Sequence, residues 1–241
     1  ARRSVVHSTA KSQPEANVEL AILIAAVIVA LIIAGVVVRT TQIRRTRALA
    51  RVAAERGFSF DETAVPFGDE EMLSILRFTQ RRGVARNVMR GADGDKQIVA
   101  FDYRSPQGNR ETVVAFRAAL PVFDLLTVFH GVNPNVMAPV FARLWMTVMR
   151  FDSHPEFCRS YLLVGPDEEA LRKFFQPPLL DYFQSLDKTR RWAVESSGAW
   201  LLICRAGYLA KPERLPAYIE EAAVVAARLS AATPAAGAFT R

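Results

Sequence analysis

His154 and Cys158 stand four residues apart, a spacing that puts both on one side of a helix, with Asp152 and Glu156 beside them. A thiol next to an imidazole has the makings of a nucleophile and its base. The competing reading is a histidine that caps local structure and a small buried cysteine. A zinc site needs about four ligands, or three and a water, and this pair does not supply them. His7 and His130 lack comparable neighbours. The chain contains no G-x-S-x-G, no phosphate-binding P-loop, no C-x-x-C and no dinucleotide fingerprint. Asp167-Glu168-Glu169 fits the first turn of a helix, where the macrodipole favours negative charge. These residues point to no cofactor, no metal and no catalytic group, so the expectation is a protein that is not an enzyme.

The elements around these residues are dominated by one stretch, Leu20 to Val38, which carries no charged or strongly polar side chain. As a helix it is about 28 Å long, close to the ~30 Å hydrocarbon core of a bilayer. The expectation is a single transmembrane helix. Ser12-Gln13-Pro14-Glu15 reads as a capping box, so the helix starts ahead of the apolar run. The tail before it lacks the pattern of a cleavable signal.

Charge is distributed unevenly. Nine Arg or Lys against three Glu between Ala1 and Gly57 account for +6 of the formal +7, and the rest of the chain is nearly neutral. A neutral body argues against a nucleic-acid partner. The two cysteines make no disulfide framework, which suits a reducing compartment. Arg39, Arg44, Arg45, Arg47 and Arg51 follow the apolar run, outnumbering the cations of the tail. By the positive-inside rule the C-terminal side is cytoplasmic and the N-terminus outside, in an inner, cytoplasmic membrane. The same arginines have a second reading as contacts to anionic lipid headgroups. Ala26, Ala30 and Ala34 recur every fourth residue and form a smooth stripe on which a partner helix can approach closely. Alternatively, the stripe reflects the abundance of Ala in this chain.

Past the membrane the helix continues to Glu55 with Leu49, Val52 and Ala53 on its apolar side, and Gly57 caps it. Met72 to Phe78 reads as a short helix. From Asn87 the pattern becomes strand-like: Asn87–Arg90 and Gln97–Arg104 flank a turn at Gly91–Gly94, with Val99, Phe101 and Tyr103 on one face. Glu111–Leu120 and Asp124–His130 extend this into an antiparallel meander. Asn133–Arg150 has helical spacing, with a membrane-surface helix or partner-groove helix as alternatives to one packed on the sheet. Tyr161–Val164 is a strand, Asp167 caps a helix ended by Pro177-Pro178, and Leu179–Leu186 is another helix. Trp192–Glu195 and Ala199–Arg205 form a hairpin. Pro212 opens a last helix through Leu229, with Leu215, Ile219, Ala222, Ala223 and Ala226 inward. The fold class is therefore α+β: one N-terminal transmembrane helix and a single domain of antiparallel sheet packed with helices. Its parts are a tail (1–17), the membrane and juxtamembrane helix (18–56), a cytoplasmic domain (57–230) and a loose C-terminal tail (231–241).

Phe101-Asp102-Tyr103-Arg104, then Asp152 to Phe157, then Tyr161 to Gly165 followed by Asp167-Glu168, form an FDY…HPEF…YLL-G series. In this the chain resembles a bacterial family of membrane-anchored α+β proteins without an established activity. The resemblance spans most of Gly57 to Leu229. It implies one intact domain and no catalytic role, and Asn133–Met149 is more apolar than the family pattern.

Two function classes follow. One is a non-catalytic accessory or scaffold subunit docked on an integral membrane protein complex, with an energy-transducing complex, photosynthetic or respiratory, as the first candidate by analogy. The other is a membrane-tethered enzyme or ligand-binding domain with a pocket between sheet and helices.

Overall fold

The computed structural model describes residues 13–64, 83–94, 96–105, 108–127, 146–197 and 199–232. Its contacts divide the chain into two units, Ala1–Arg47 and Ala48–Arg241.

The first unit is built on helix α1 (Gln13–Glu55), whose last turns belong to the second. From Val18 to Thr41 every residue is exposed, Leu31 to 67%. This stretch makes α1 long and apolar enough to cross a membrane. Just past the apolar run, the hydroxyls of Thr40 and Thr41 both donate to the Val37 carbonyl, at 3.0 and 2.7 Å. Bonding back to the helix satisfies these polar groups within the element. The Ser12 cap and both tails' ends lie outside the described residues.

In the second unit the end of α1 is a core element. Leu49 and Ala53 are each 1% exposed, and Val52 packs beside them. The helix stops because Gly57 adopts a positive φ of 69°. That turn lets the Phe58 N–H reach the Ala53 carbonyl (2.8 Å) and the Gly57 N–H reach that of Ala54 (3.1 Å), the paired bonds of a Schellman cap.

Nine described strands form one antiparallel sheet: β1 (Ser59–Asp61), β2 (Val84–Asp93), β3 (Lys96–Arg104), β4 (Arg110–Arg117), β5 (Phe123–Thr127), β6 (Thr147–Met149), β7 (Tyr161–Gly165), β8 (Ala193–Ser196) and β9 (Trp200–Cys204). Their spatial order is β1-β2-β3-β4-β9-β8-β5-β7-β6. The helices are α2 (Pro155–Ser160), α3 (Glu168–Phe174), α4 (Pro177–Ser185) and α5 (Leu215–Ala231), with short 3-10 turns at Lys188–Arg190 and Pro212–Arg214. Side chains alternate across each strand. One face, including Ile98, Val114, Leu125, Leu163 and Ile203, shares a core with Phe157, Phe174, Phe183, Ile219 and Val225 of the helices. The other face carries a second cluster around Phe101, Tyr103, Val113 and Leu202 on β3, β4 and β9, and a third around Met146, Leu162 and Val164. Val99, Phe101 and Tyr103 share that face, as their alternation requires.

The α+β class stands, and several details of the sequence reading change. The β2–β3 ladder pairs Gly91 with Ile98 and Asp93 with Lys96, so Gly91–Asp93 belong to the strand and the hairpin tip begins at Gly94. β4 and β5 are not neighbours; the β8–β9 hairpin lies between them, a long-range pairing that local alternation does not reveal. Within the expected Asn133–Arg150 helix, Thr147–Met149 is an edge strand held by the pairs Val148–Val164 and Met149–Leu163. Residues 133–145 of that segment, Met72–Phe78 and the end of the expected fourth strand lie outside the described residues. Pro177-Pro178 ends α3 and also opens α4, because proline suits a helix's first turn.

Gly57 yields a direct test. A Cβ there has no heavy atom within 4 Å, so Gly57→Ala carries only backbone strain. It should lower the body's unfolding free energy by about 1–2 kcal/mol, measured by urea denaturation.

Candidate functional site

His154 precedes α2 and is largely buried. Its Nδ1 lies 2.8 Å from Ser153 Oγ and its Nε2 3.2 Å from Asp181 Oδ1 on α4. Beside them the Phe157 N–H donates to Gln184 Oε1 at 3.2 Å. Serine, histidine and aspartate are the residue types of a hydrolytic triad. Here Ser153 is the histidine's chain neighbour and the Asp181 side chain is 67% exposed, so the line ties α2 to α4. Cys158 meets His154 through the backbone, its N–H donating to the His154 carbonyl at 3.2 Å. Its sulfur accepts the Phe151 N–H at 3.3 Å and faces the Phe151 carbonyl at 3.7 Å, closing the loop before α2. Among the described residues no group of three His, Cys, Asp or Glu is placed to hold a metal ion.

The motif series has structural work to do. Phe157 stacks on Tyr161 at 5.4 Å and meets Phe151 edge-on at 5.9 Å, while Tyr161 meets Phe183 at 5.6 Å. Gly165 leaves room for α3, since a Cβ there stands 2.4 Å from Leu171 Cδ1 and 2.9 Å from the Val122 carbonyl. Asp167 accepts the Ala170 N–H at 2.9 Å and caps α3. Asp102 accepts from Asn87 Nδ2 at 2.8 Å and from Thr112 Oγ1 at 3.3 Å. Thr112 Oγ1 in turn accepts the Ala210 N–H at 3.0 Å. This buried chain joins β2, β3, β4 and the approach to α5, and it lets Asn87 hold its φ of 54° where the β2 register shifts.

Two clusters escaped the sequence reading. The first is an acidic seam on the face opposite the helices. Asp124 (β5) lies directly across from Glu195 (β8), and both are buried. Asp124 Oδ2 is shielded from solvent and has no hydrogen-bond partner among the described residues. Burial pushes the Asp124 carboxyl up to about 7, and the opposed Glu195 makes a second charge there more costly. Glu111 on β4 is also raised, by burial, though it accepts the Gly207 N–H at 3.2 Å. Cys204 is driven well upward by burial and then by Glu111, Asp124 and Glu195, which favours the protonated thiol.

The second is a cationic cleft of about 350 Å³ lined by Thr127, Lys188, Thr189, Arg191, Arg205, Tyr208 and the Ala206-Gly207 turn. The Arg205 guanidinium lies 4.1 Å from the centre of the Trp192 ring, with Tyr218 at 5.6 Å and Tyr208 at 6.0 Å. Glu221 pairs with it. The Arg205 N–H donates to the Tyr218 hydroxyl at 2.9 Å, and that hydroxyl donates to the Thr112 carbonyl at 3.0 Å. Arg191 donates to Ser160 Oγ at 2.7 Å and lies over Tyr161. The run Lys188-Thr189-Arg190-Arg191 was the one local signal for this cleft; Arg205 and Thr127 arrive from distant strands.

On α1, Ala26, Ala30 and Ala34 are exposed at a spacing that keeps them on one side of the helix. Arg39, Arg44, Arg47 and Arg51 are exposed, and Arg45 is half-buried.

The seam makes stability pH-dependent. With its folded pKa raised above the ordinary value of 3.8, Asp124 holds its proton more tightly in the folded chain. Its contribution is most favourable below about pH 4, declines as pH rises, and is fully unfavourable above about 7. Asp124→Asn should therefore gain stability relative to the parent as pH rises from 4 to 8. The expected change in the difference is on the order of 3 kcal/mol, read from urea denaturation at each pH. A pH-independent difference would remove the seam's role.

No protein family and no curated protein matches the sequence. Among solved structures, the chain is similar to the crystal structure of the mycobacterial trehalose monomycolate transport factor A, at a TM-score of 0.52 and 13% identity. The match covers 78% of this chain and 93% of that one. At that identity the likeness is one of fold: the chain shares its α+β architecture with a transport factor.

Proposed function

We propose that the chain is a single-pass, non-catalytic accessory subunit that docks on and stabilises a larger integral membrane complex. The observation that carries this reading is α1, whose long apolar stretch is exposed on every side and carries Ala26, Ala30 and Ala34 along one line. Lipid offers such a helix no hydrophobic drive toward a partner, so close packing on small residues must supply the affinity. The engagement of His154 and Cys158 with local partners favours a non-catalytic role. The fold neighbour is a transport factor by its title, so a transport assembly is the first complex type to examine, ahead of a photosynthetic or respiratory one. The arginines after Val38 favour a cytoplasmic body, an N-terminus outside and anionic lipids as secondary partners.

Widening the stripe with Ala30→Leu and Ala34→Leu should loosen the chain from its complex, seen as reduced co-purification in mild detergent, while the body keeps the parent's denaturation midpoint. Equal co-purification makes the helix a plain anchor and favours a tethered ligand-binding domain. For orientation, Ser8→Cys should react with an impermeant thiol reagent on intact cells and Glu213→Cys should not; the reverse pattern inverts the topology.

A further inference from the structure

We infer that the cleft between the Lys188–Arg191 turn and the Arg205–Tyr208 turn binds a phosphate-class oxyanion, borne by a soluble phosphate ester or by a lipid headgroup. Among its described lining side chains three are cationic and none is acidic. From Phe58 onward the chain carries a net charge of only +1, so this concentration of positive charge is local. Three carboxylates touch lining residues and each has its own commitment. Glu221 pairs with Arg205 and Glu111 accepts the Gly207 N–H. Asp187 accepts the Thr189 N–H and hydroxyl, both at 2.7 Å. Lys188 and Arg191 have no carboxylate partner within salt-bridge distance among the described residues.

Pre-organisation strengthens the case. Stacking on Trp192 and pairing with Glu221 hold Arg205, and Ser160 and the Tyr161 ring hold Arg191. Guanidiniums already fixed lose little side-chain freedom on meeting an anion, and their forked donors suit tetrahedral oxyanions. The Thr127 hydroxyl adds a neutral donor, and Lys188 adds an exposed point charge to the lining. The volume falls within the ~300–1,000 Å³ typical of small-molecule sites. A bare carboxylate offers two oxygens to three cations; a phosphate offers more oxygens and more charge.

The test uses the full chain in maltoside micelles, free of phosphate, with the amide resonances of Thr189 and Gly207 followed by ¹⁵N NMR. In one arm inorganic phosphate is titrated at constant ionic strength against sodium chloride; in the other, phosphatidic acid is added to the micelles. A saturable shift in the first arm identifies soluble phosphate as sufficient. A shift in the second arm alone identifies the lipid headgroup. In either case Lys188→Gln or Arg191→Gln should weaken binding by roughly five- to tenfold. Lys188 is exposed and makes no ion pair among the described residues, so its variant tests the site even if Arg191→Gln perturbs the fold. Arg44→Gln with Arg45→Gln should leave the shift in place, separating the cleft from the arginines of α1. The inference is overturned if neither probe moves these amides, if both variants bind as the parent does, or if the α1 variant removes the shift.

Discussion

Both faces of the sheet's central strands are withdrawn from water, and the other features of the body follow from that. Phe101 and Val164 point to one side and Val114 and Leu163 to the other, and all are fully buried. A polar group set into such a sheet has no solvent to fall back on, and leaving it unpaired costs roughly 1–3 kcal/mol. Asp102 meets this by taking bonds from Asn87 and Thr112. Arg205 meets it differently, laying its cation over aromatic rings and pairing with Glu221 at the sheet's margin. Asp124 meets it by holding its proton more tightly, since its Oδ2 finds no donor among the described residues.

The same constraint gives the FDY…HPEF…YLL-G series a structural meaning. Alternation sends Phe101 and Tyr103 into the second face while Asp102 turns to the polar chain between strands. Phe157, Tyr161 and Phe183 form one aromatic column that locks α2 and α4 onto β7. Gly165 allows α3 to settle against the end of that strand. Ser153, His154 and Asp181 complete the attachment from the polar side. These residues serve the assembly of the body, which is consistent with a chain whose strongest sequence signal is its N-terminal helix.

What the sequence made legible was local. The apolar run of α1, the Leu49–Ala53 face, the Gly57 cap, the alternation of β3 and the Asp167 cap each depend on residues within a turn or two of one another. What stayed hidden depends on distant partners. Asp124 and Glu195 lie opposite each other only because β8 pairs with β5, and nothing near either residue announces it. The cleft needs Thr127, Lys188 and Arg205 from three separate segments. The β6 edge was misread because Asn133–Arg150 keeps helical spacing almost to the point where Thr147 and Val148, β-branched residues, pair with β7. On α5 the alanines indicated the inward face, yet Tyr218 and Val225 are buried there as well, and Tyr218 also bridges Thr112 and Arg205.

Positive charge thus occurs in two physically different settings. Arg39, Arg44, Arg47 and Arg51 on α1 are exposed, so water and salt screen them and each contributes little alone. Arg191 and Arg205 are partly withdrawn from water and fixed by rings and hydrogen bonds, so screening reaches them less. The first set suits a diffuse anionic surface, the second a defined anion. A cleft with modest affinity is also a different object on a tethered chain than on a free one. Once an apolar helix confines the body, a ligand in the same membrane is met at millimolar-scale effective concentration. If the proposed anion is a lipid headgroup, a weak site would then fill without tight contacts.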